Sequence, residues 1–273
     1  MKKYIFLVIV LASVLYFALD DAPYKMKIIR VGTECDYPPN NWEEDKATSS
    51  NVPLKNKKGF YAEGYDIQIA KVVAEKMGAK LEVKKIAWQD LLPALNRREI
   101  DAIFSGMLPT SERKEYAAFS ETYEFQEEEY VILIHKESRY AGAKKLNDFY
   151  GAILTGQKDT ALDDAVNQIP GAIHLEPADS FSELIDKLIS YDIDGIVINL
   201  DSAKLYEQSH PELIAVRFPK GHGFVLEYQG ACAGVRKKDV KLLKEINNIL
   251  SGLSKRDRQR IMDRTISRQW NNL

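Results

Sequence analysis

The chain has 273 residues, with 38 Lys and Arg against 40 Asp and Glu, and 45% of its residues are apolar. The apolar fraction excludes wholesale disorder, and the near-balanced charge argues against a protein whose main task is to bind a polyanion such as nucleic acid. Two cysteines and four histidines are too few and too scattered for a zinc or iron–sulfur site. The length fits one large domain or two of ordinary size.

The N-terminus has the pattern of an export segment. Residues 1–3 give a positive start, and residues 4–19 form an apolar run that Asp20 ends. This pattern predicts a signal over residues 1–22 that places the chain in the periplasm or outside the cell. Because no small-x-small cleavage site precedes Asp20, cleavage and retention as a membrane anchor through residues 4–19 both stay open.

The rest of the chain alternates between strand and helix patterns. Two βαβαβ runs are predicted, and each implies a parallel sheet with right-handed crossovers. The first run has strands at 26–32, 81–86 and 100–104 and helices at 66–77 and 88–96. The second run has strands at 152–155, 172–175 and 195–199 and helices at 161–169 and 180–190. Further strands are predicted at 128–135 and 230–236, and closing helices at about 238–251 and 255–270.

This order predicts two α/β lobes joined by two strand crossings, with the second lobe inserted into the first. The first lobe is expected to comprise residues 23–125 and 226–273, and the second lobe residues 126–225. Open α/β sheets bind ligands beyond the carboxyl ends of their strands, so two facing lobes place a cleft between them that can close over a small molecule. The loops that follow the strands therefore form the candidate site.

Three such loops carry a set of motifs. They are residues 32–42 (GTECDYPPNNW), 64–66 (GYD) and 105–113 (SGMLPTSER), with LPAL at 92–95 and EIDAI at 99–103 between them. In this order and spacing, the chain beyond the export segment resembles the family 3 solute-binding proteins of bacterial ABC importers, which take up polar amino acids. The resemblance implies a type II periplasmic-binding-protein-like fold, an amino acid as ligand and an ABC permease as partner. It implies no catalysis and no cofactor or metal.

Arg113 is the expected receptor for the ligand carboxylate. A guanidinium offers a carboxylate two parallel N–H donors, and Thr110–Glu112 is expected to begin a helix whose free N–H groups favour an anion. The alternative is a surface ion pair with a neighbouring glutamate. The loop before Arg113 is also expected to line the cleft, through Ser105, Gly106, Met107 and Leu108. Leu108 stands where the family often has Ser or Thr and offers only its backbone N–H.

The resemblance also implies aromatic walls around the ligand side chain, formed by Tyr37 and Tyr65. Flat rings bury area at little rotamer cost, and their faces attract cations. Trp88 is predicted to pack within the first lobe instead. Glu34 stands where the family often has Asp, and two roles stay open for it: to compensate for the neutral Asn199 at the ligand ammonium, or to receive a cationic side chain.

Three residues of the second lobe complete the implied site. Gln157 lines the wall, Thr160 offers its N–H and hydroxyl to the carboxylate, and Asn199 replaces the family's usual Asp as the acceptor for the ligand ammonium. A neutral amide is the weaker acceptor, by about 1 kcal/mol. Asp159 departs from the family's Gly and is predicted to cap the next helix. The predicted ligand is a polar L-amino acid, with a basic one as the refinement.

Two other functions stay open. A dehydratase-like enzyme on the same fold would use Glu34 as its general acid or base, and a sensor ectodomain would pass its closure to a receptor chain. A disulfide between Cys35 and Cys232 also stays open, because sequence does not give the distance between them. Residues 43–58 are predicted to form a long surface loop or loose hairpin.

Overall fold

The computed structural model describes residues 26–124, 128–228 and 230–270. The strands in chain order are β1 Ile28–Thr33, β2 Asp36–Tyr37, β3 Asn41–Glu44, β4 Val52–Pro53, β5 Tyr61–Glu63, β6 Lys80–Lys85, β7 Ala102–Ile103, β8 Ala118–Thr122, β9 Tyr130–His135, β10 Ile153–Thr155, β11 Ile173–His174, β12 Gly195–Asn199, β13 Leu213–Val216 and β14 Cys232–Val235. The α-helices are α1 Tyr65–Lys76, α2 Leu91–Asn96, α3 Arg113–Tyr116, α4 Ala161–Val166, α5 Phe181–Ile189, α6 Leu200–Ser209, α7 Val240–Ser251 and α8 Lys255–Trp270. The export segment predicted over residues 1–22 lies outside the described residues.

The first lobe is built on a five-stranded sheet in the order β6-β1-β7-β14-β8. β1 pairs in parallel with β6 and β7, and β14 enters antiparallel between β7 and β8. Helices α1, α7 and α8 contribute to the core on this sheet. In α7 the buried residues are Leu242, Ile246 and Leu250, and a spacing of four places them on one helix face.

A small antiparallel sheet in the order β2-β3-β5-β4 adjoins the first lobe and corrects the prediction of a loop or loose hairpin over residues 43–58. β3 pairs with β5 rather than with β4, so these residues do not form a simple hairpin. Leu54 anchors the segment because it is buried and pairs with Val83 of β6. The short strands and the polar residues between them hide this pattern in the sequence.

The second lobe contains a five-stranded sheet in the order β11-β10-β12-β9-β13. β10 pairs in parallel with β11 and β12, whereas β9 runs antiparallel between β12 and β13. Helix α5 packs on this sheet through Phe181, Leu184, Ile185 and Leu188, which share one face. The helix begins after Ser180, whose hydroxyl accepts a hydrogen bond from the Glu183 N–H at 3.2 Å.

The chain passes between the two large sheets twice, between β8 and β9 and between β13 and β14, so the predicted two-lobed α/β fold is confirmed. The predicted lobe boundaries at 125/126 and 225/226 fall within these connections. The sequence analysis missed β8, β13 and α6, which are short or polar elements outside the βαβαβ pattern. Within the described ranges, none of the helices combines the length and the apolar character needed to span a bilayer.

Candidate ligand-binding cleft

A narrow cavity lies between the two lobes, where strands β1, β7, β10 and β12 end. Nine of the eleven predicted ligand-binding residues line it: Glu34, Tyr37, Ser105, Gly106, Leu108, Arg113, Gln157, Thr160 and Asn199. The fold thus brings together the loops of both lobes, as expected for the carboxyl ends of facing sheets.

Arg113 is a buried cation in the wall of this cavity, 9% exposed, at the first position of α3. Its Nη1 donates to the Leu108 carbonyl at 2.9 Å, and its Nη2 crosses the cleft to the Asp159 carbonyl at 2.7 Å. Among the residues that the structure describes, no carboxylate forms a salt bridge with this guanidinium. The alternative of a surface ion pair is therefore wrong, and burial lowers the pKa of Arg113.

The loop before α4 differs from the prediction. Thr160 rather than Asp159 caps α4, since the Thr160 hydroxyl accepts from the Asp163 N–H at 3.3 Å and donates to the Gln157 carbonyl at 2.6 Å. That hydroxyl is thus engaged within its own loop rather than directed at a ligand carboxylate. Asp159 has a φ of 59°, in the left-handed region that Asp tolerates better than most residues. In this conformation the Asp159 carbonyl accepts hydrogen bonds from both the Arg113 guanidinium and the Trp88 indole.

Tyr37 contributes an aromatic surface that joins the lobes. Its ring stacks on Phe181 of α5, with 4.4 Å between the ring centroids and 13° between the planes. Gly106 also lies against this ring, since a Cβ at that position would come within 3.3 Å of it. Gly106 has a φ of 62°, so this position suits glycine both in conformation and in space.

The second predicted wall, Tyr65, is corrected by the structure. Tyr65 is fully buried in the core of the first lobe, where its hydroxyl donates to the Tyr123 carbonyl at 2.6 Å, and it does not line the cavity. Trp88 lines the cavity instead. The Arg113 guanidinium carbon lies 4.9 Å from the centroid of the Trp88 ring, and the indole N–H donates to the Asp159 carbonyl at 3.1 Å. Met107 also lies in the core rather than in the cavity wall.

Glu34 is buried at the end of β1, and its carboxylate accepts a hydrogen bond from Gln157 Nε2 of the second lobe at 2.7 Å. Burial raises the pKa of Glu34 to about 8, although the hydrogen bond from Gln157 opposes this shift. The Glu34 backbone N–H donates to the Ser105 hydroxyl at 3.1 Å, which ties together the loops after β1 and β7. The site therefore holds an acid that is largely neutral near pH 7 until a cation approaches it.

Asn199 ends β12 and is also the N-cap of α6, because its amide oxygen accepts from the Ser202 N–H at 3.0 Å. The predicted role of that oxygen as ammonium acceptor therefore competes with helix capping. Two further contacts join the lobes beside it. The Ser202 hydroxyl donates to the Pro38 carbonyl at 2.6 Å, and the Ser182 N–H donates to Asp36 at 3.0 Å. The cleft is closed by these bonds.

The cavity wall also contains residues that the sequence analysis did not select: Asn40, Trp88, Glu124, Glu128, Tyr130, Ala161, Leu162, Phe181 and Ala231. Burial raises the pKa of Glu124 well above its usual range and that of Glu128 to about 7. Both acids lie in the connection between β8 and β9, which has no periodic pattern. The run of acids at 127–129 suggests a solvated approach to a strand, and nothing in it indicates a buried cavity.

Asp66, at the start of α1, organises the loops behind the cavity. Its carboxylate accepts from the Tyr123 hydroxyl at 2.6 Å, from Asn41 Nδ2 at 2.8 Å and from the Gly106 N–H. Burial nevertheless raises the pKa of Asp66 to about 6. These bonds fix the Gly106 turn against which Tyr37 lies.

Cys35 and Cys232 are buried free thiols, so the structure contains no disulfide between them. In the part of the chain that the structure describes, no group of three or more His, Cys, Asp or Glu side chains is arranged to hold a metal ion.

Comparisons with known proteins agree with this geometry. The chain is 26% identical over 260 residues to the arginine-binding extracellular protein ArtP of Bacillus subtilis (strain 168), and the alignment covers 92% of each chain. An ancestral arginine-binding protein bound to arginine superposes with a TM-score of 0.71 at 27% identity, covering 88% of this chain and 99% of that one. The same TM-score and identity are found for an ancestral arginine-binding protein bound to glutamine, covering 88% and 98%. Residues 29–270 match the profile of one family, and the chain thus belongs to the bacterial extracellular solute-binding proteins, family 3.

Proposed function

We propose that this solute-binding protein captures a basic L-amino acid, arginine in the first place, and delivers it to the permease of an ABC importer. The observation that supports this most directly is Arg113, a buried guanidinium in the interlobe cavity that forms no salt bridge with a described carboxylate. A buried charge without a counter-ion costs several kcal/mol, about 3–5 when one partner of a pair is removed. A ligand carboxylate would supply that counter-ion.

The basic refinement rests on the acids and rings of the same cavity. Glu34, Glu124 and Glu128 all line it, so a ligand with a second positive charge meets three acidic side chains that can ionise beside it. Tyr37 and Trp88 also line the cavity and supply aromatic surface beside these acids. Similar proteins include one bound to arginine and one bound to glutamine, which makes glutamine the relevant neutral competitor.

Calorimetric titration with the twenty amino acids tests the proposal, on protein that has been unfolded and refolded to remove any carried ligand. We expect saturable binding of arginine or lysine, weaker binding of glutamine and none of glutamate. A micromolar dissociation constant, about −8 kcal/mol, suffices for an importer. No saturable binding of any amino acid would refute the function, and a preference for glutamate would refute the basic refinement alone.

We also propose that residues 1–22 direct export and that the partner is a permease. Sequencing the N-terminus of the exported protein decides between cleavage after about residue 22 and retention through residues 4–19. Recovery of the intact chain from the cytoplasm would contradict export. Co-purification with a permease, rather than with a receptor kinase, separates an importer from a sensor.

A further inference from the structure

A second chamber adjoins the cleft cavity on the side where the chain passes between the lobes. It has a volume of about 250 Å³, is partly open to solvent, and shares four lining residues with the cleft cavity: Asn40, Glu124, Glu128 and Asn199. Two of these four side chains are carboxylates and two are neutral amides. The wall between the two spaces is therefore the acidic end of the cleft.

A bound amino acid must place its ammonium group against an acceptor, and Asn199 is a poor one. The amide of Asn199 is neutral, and its only oxygen already accepts the Ser202 N–H at 3.0 Å. Ammonium groups taken out of water need a charged acceptor to offset the cost of desolvation. The acceptor is therefore to be found among the carboxylates of the cavity wall.

Three carboxylates line the cleft cavity, and they differ in their existing contacts. Glu34 accepts from Gln157 at 2.7 Å, and Glu128 shares a hydrogen bond with the Tyr130 hydroxyl. In the described ranges of the chain, no hydrogen bond or salt bridge reaches the Glu124 carboxylate. Burial raises the pKa of Glu124, and the negative charge of Glu128 raises it further, so the two acids lie near each other.

None of three nearby cations, Arg217, Lys204 and Arg258, forms a salt bridge with Glu124 within the described ranges. Arg217 donates two hydrogen bonds to Glu129, at 2.9 and 2.8 Å, and Lys204 pairs with Asp201 at 3.1 Å. Arg258 lowers the pKa of Glu124 by its charge, yet its own hydrogen bonds go to backbone carbonyls, including that of Glu124 at 3.1 Å. Both acids thus line the cavity, and no described cation forms a salt bridge with Glu124.

Tyr130 connects this acidic end to Arg113. Its hydroxyl bonds to Glu128, and the charge of Arg113 acts on the same phenol, opposing the burial that raises the pKa of Tyr130. Arg113, which has no described carboxylate partner, and the two acids therefore line one cavity together with Tyr130, on which both act. This arrangement is complementary to a zwitterion, whose carboxylate and ammonium are held on one carbon atom.

We propose that the carboxylate pair Glu124–Glu128 is the counter-ion of the ligand's α-ammonium group. The inference rests on the proposed function, because it assumes that Arg113 holds the α-carboxylate of an amino acid. The pair then binds the α-ammonium group and not the side chain of the ligand. Glu34 remains as the acid available to a cationic side chain.

The test compares L-arginine with 5-guanidinopentanoate, which is arginine without its α-amino group. Dissociation constants for both probes are measured by calorimetry on the wild type, E124Q, E128Q and the double variant. Glu129→Gln is the matched control, because Glu129 lines the second chamber and not the cleft cavity. We expect the wild type to prefer arginine about 100-fold, in line with a charged hydrogen bond of about 3 kcal/mol.

In the double variant we expect this preference to fall about tenfold or more, while the affinity for 5-guanidinopentanoate stays the same or rises. Each single variant should show part of the loss, and E129Q none. If the two glutamates had only a structural role, the variants would lose affinity for both probes equally. That result, or an unchanged preference in the double variant, would overturn the inference. Failure of the wild type to bind arginine would refute the proposed basic ligand itself, which is a distinguishable result.

Discussion

Replacing Glu34 by Gln should change how the stability of the ligand-free protein depends on pH. Burial raises the pKa of Glu34 to about 8, whereas a glutamate in the unfolded chain titrates near about 4.3. Between these values the folded state keeps a proton that the unfolded state has released. Protonated Glu34 therefore contributes fully to the free energy of unfolding below the pKa that it has in the unfolded chain. This contribution is lost as the pH rises through the pKa that it has in the folded protein.

The magnitude follows from the separation of the two pKa values. Each pH unit in this window lowers the free energy of unfolding by up to about 1.4 kcal/mol, so the whole window corresponds to roughly 5 kcal/mol. The groups that act on Glu34 are Gln157, Asp36, Asp66 and Lys85, and all of them remain in the variant. Glu34→Gln removes the titration and keeps a side chain of the same shape.

The assay is urea unfolding of ligand-free wild type and E34Q at pH 5, 6, 7, 8 and 9. We expect the two curves of unfolding free energy against pH to diverge toward alkaline pH, with E34Q becoming the more stable protein. Glu137→Gln, at an exposed position of the second lobe, serves as the control and should run parallel to the wild type. Parallel curves for E34Q and the wild type would refute the assigned pKa and its cause.

Three further outcomes are expected. Arg113→Lys should weaken binding of the cognate amino acid at least about tenfold by calorimetry, because Lys cannot offer two parallel donors; wild-type affinity would remove Arg113 from the site. Trp88→Ala should weaken binding by about 1 kcal/mol or more, whereas Tyr65→Phe should leave affinity unchanged, and equal losses would contradict the corrected assignment. Asp101→Asn should lower the free energy of unfolding by about 3 kcal/mol, since this buried carboxylate pairs with two arginines at 2.7 and 3.0 Å; an unchanged denaturation midpoint would refute that role.

The residues of the site that could be predicted lie directly after strands of the parallel sheets. Glu34 and Arg113 belong to loops with recognisable motifs, and the topology of facing sheets is enough to bring such loops into one cleft. The motifs did not indicate which aromatic ring faces the ligand. Tyr65 is the first residue of α1, and the rotation of that helix on its sheet turns the ring into the core.

The remaining errors have two physical sources. Thr160 and Asn199 were assigned to the ligand, yet each stands three residues before an N–H that it caps, and this competing local bond was recognisable from the spacing. Glu124 and Glu128 could not be found in this way. They lie in a connection without periodicity, and only the approach of the two lobes makes them part of a cavity.

The position of β14 has a consequence for the order in which the molecule can assemble. This strand is encoded near the end of the chain, yet it lies between β7 and the edge strand β8 in the first lobe's sheet. A nascent chain that stops before residue 230 contains all the strands of the second lobe, which lie between residues 130 and 216. The first lobe then still lacks β14, the strand that joins β8 to β7. The lobe that begins first in synthesis is therefore the one that finishes folding last.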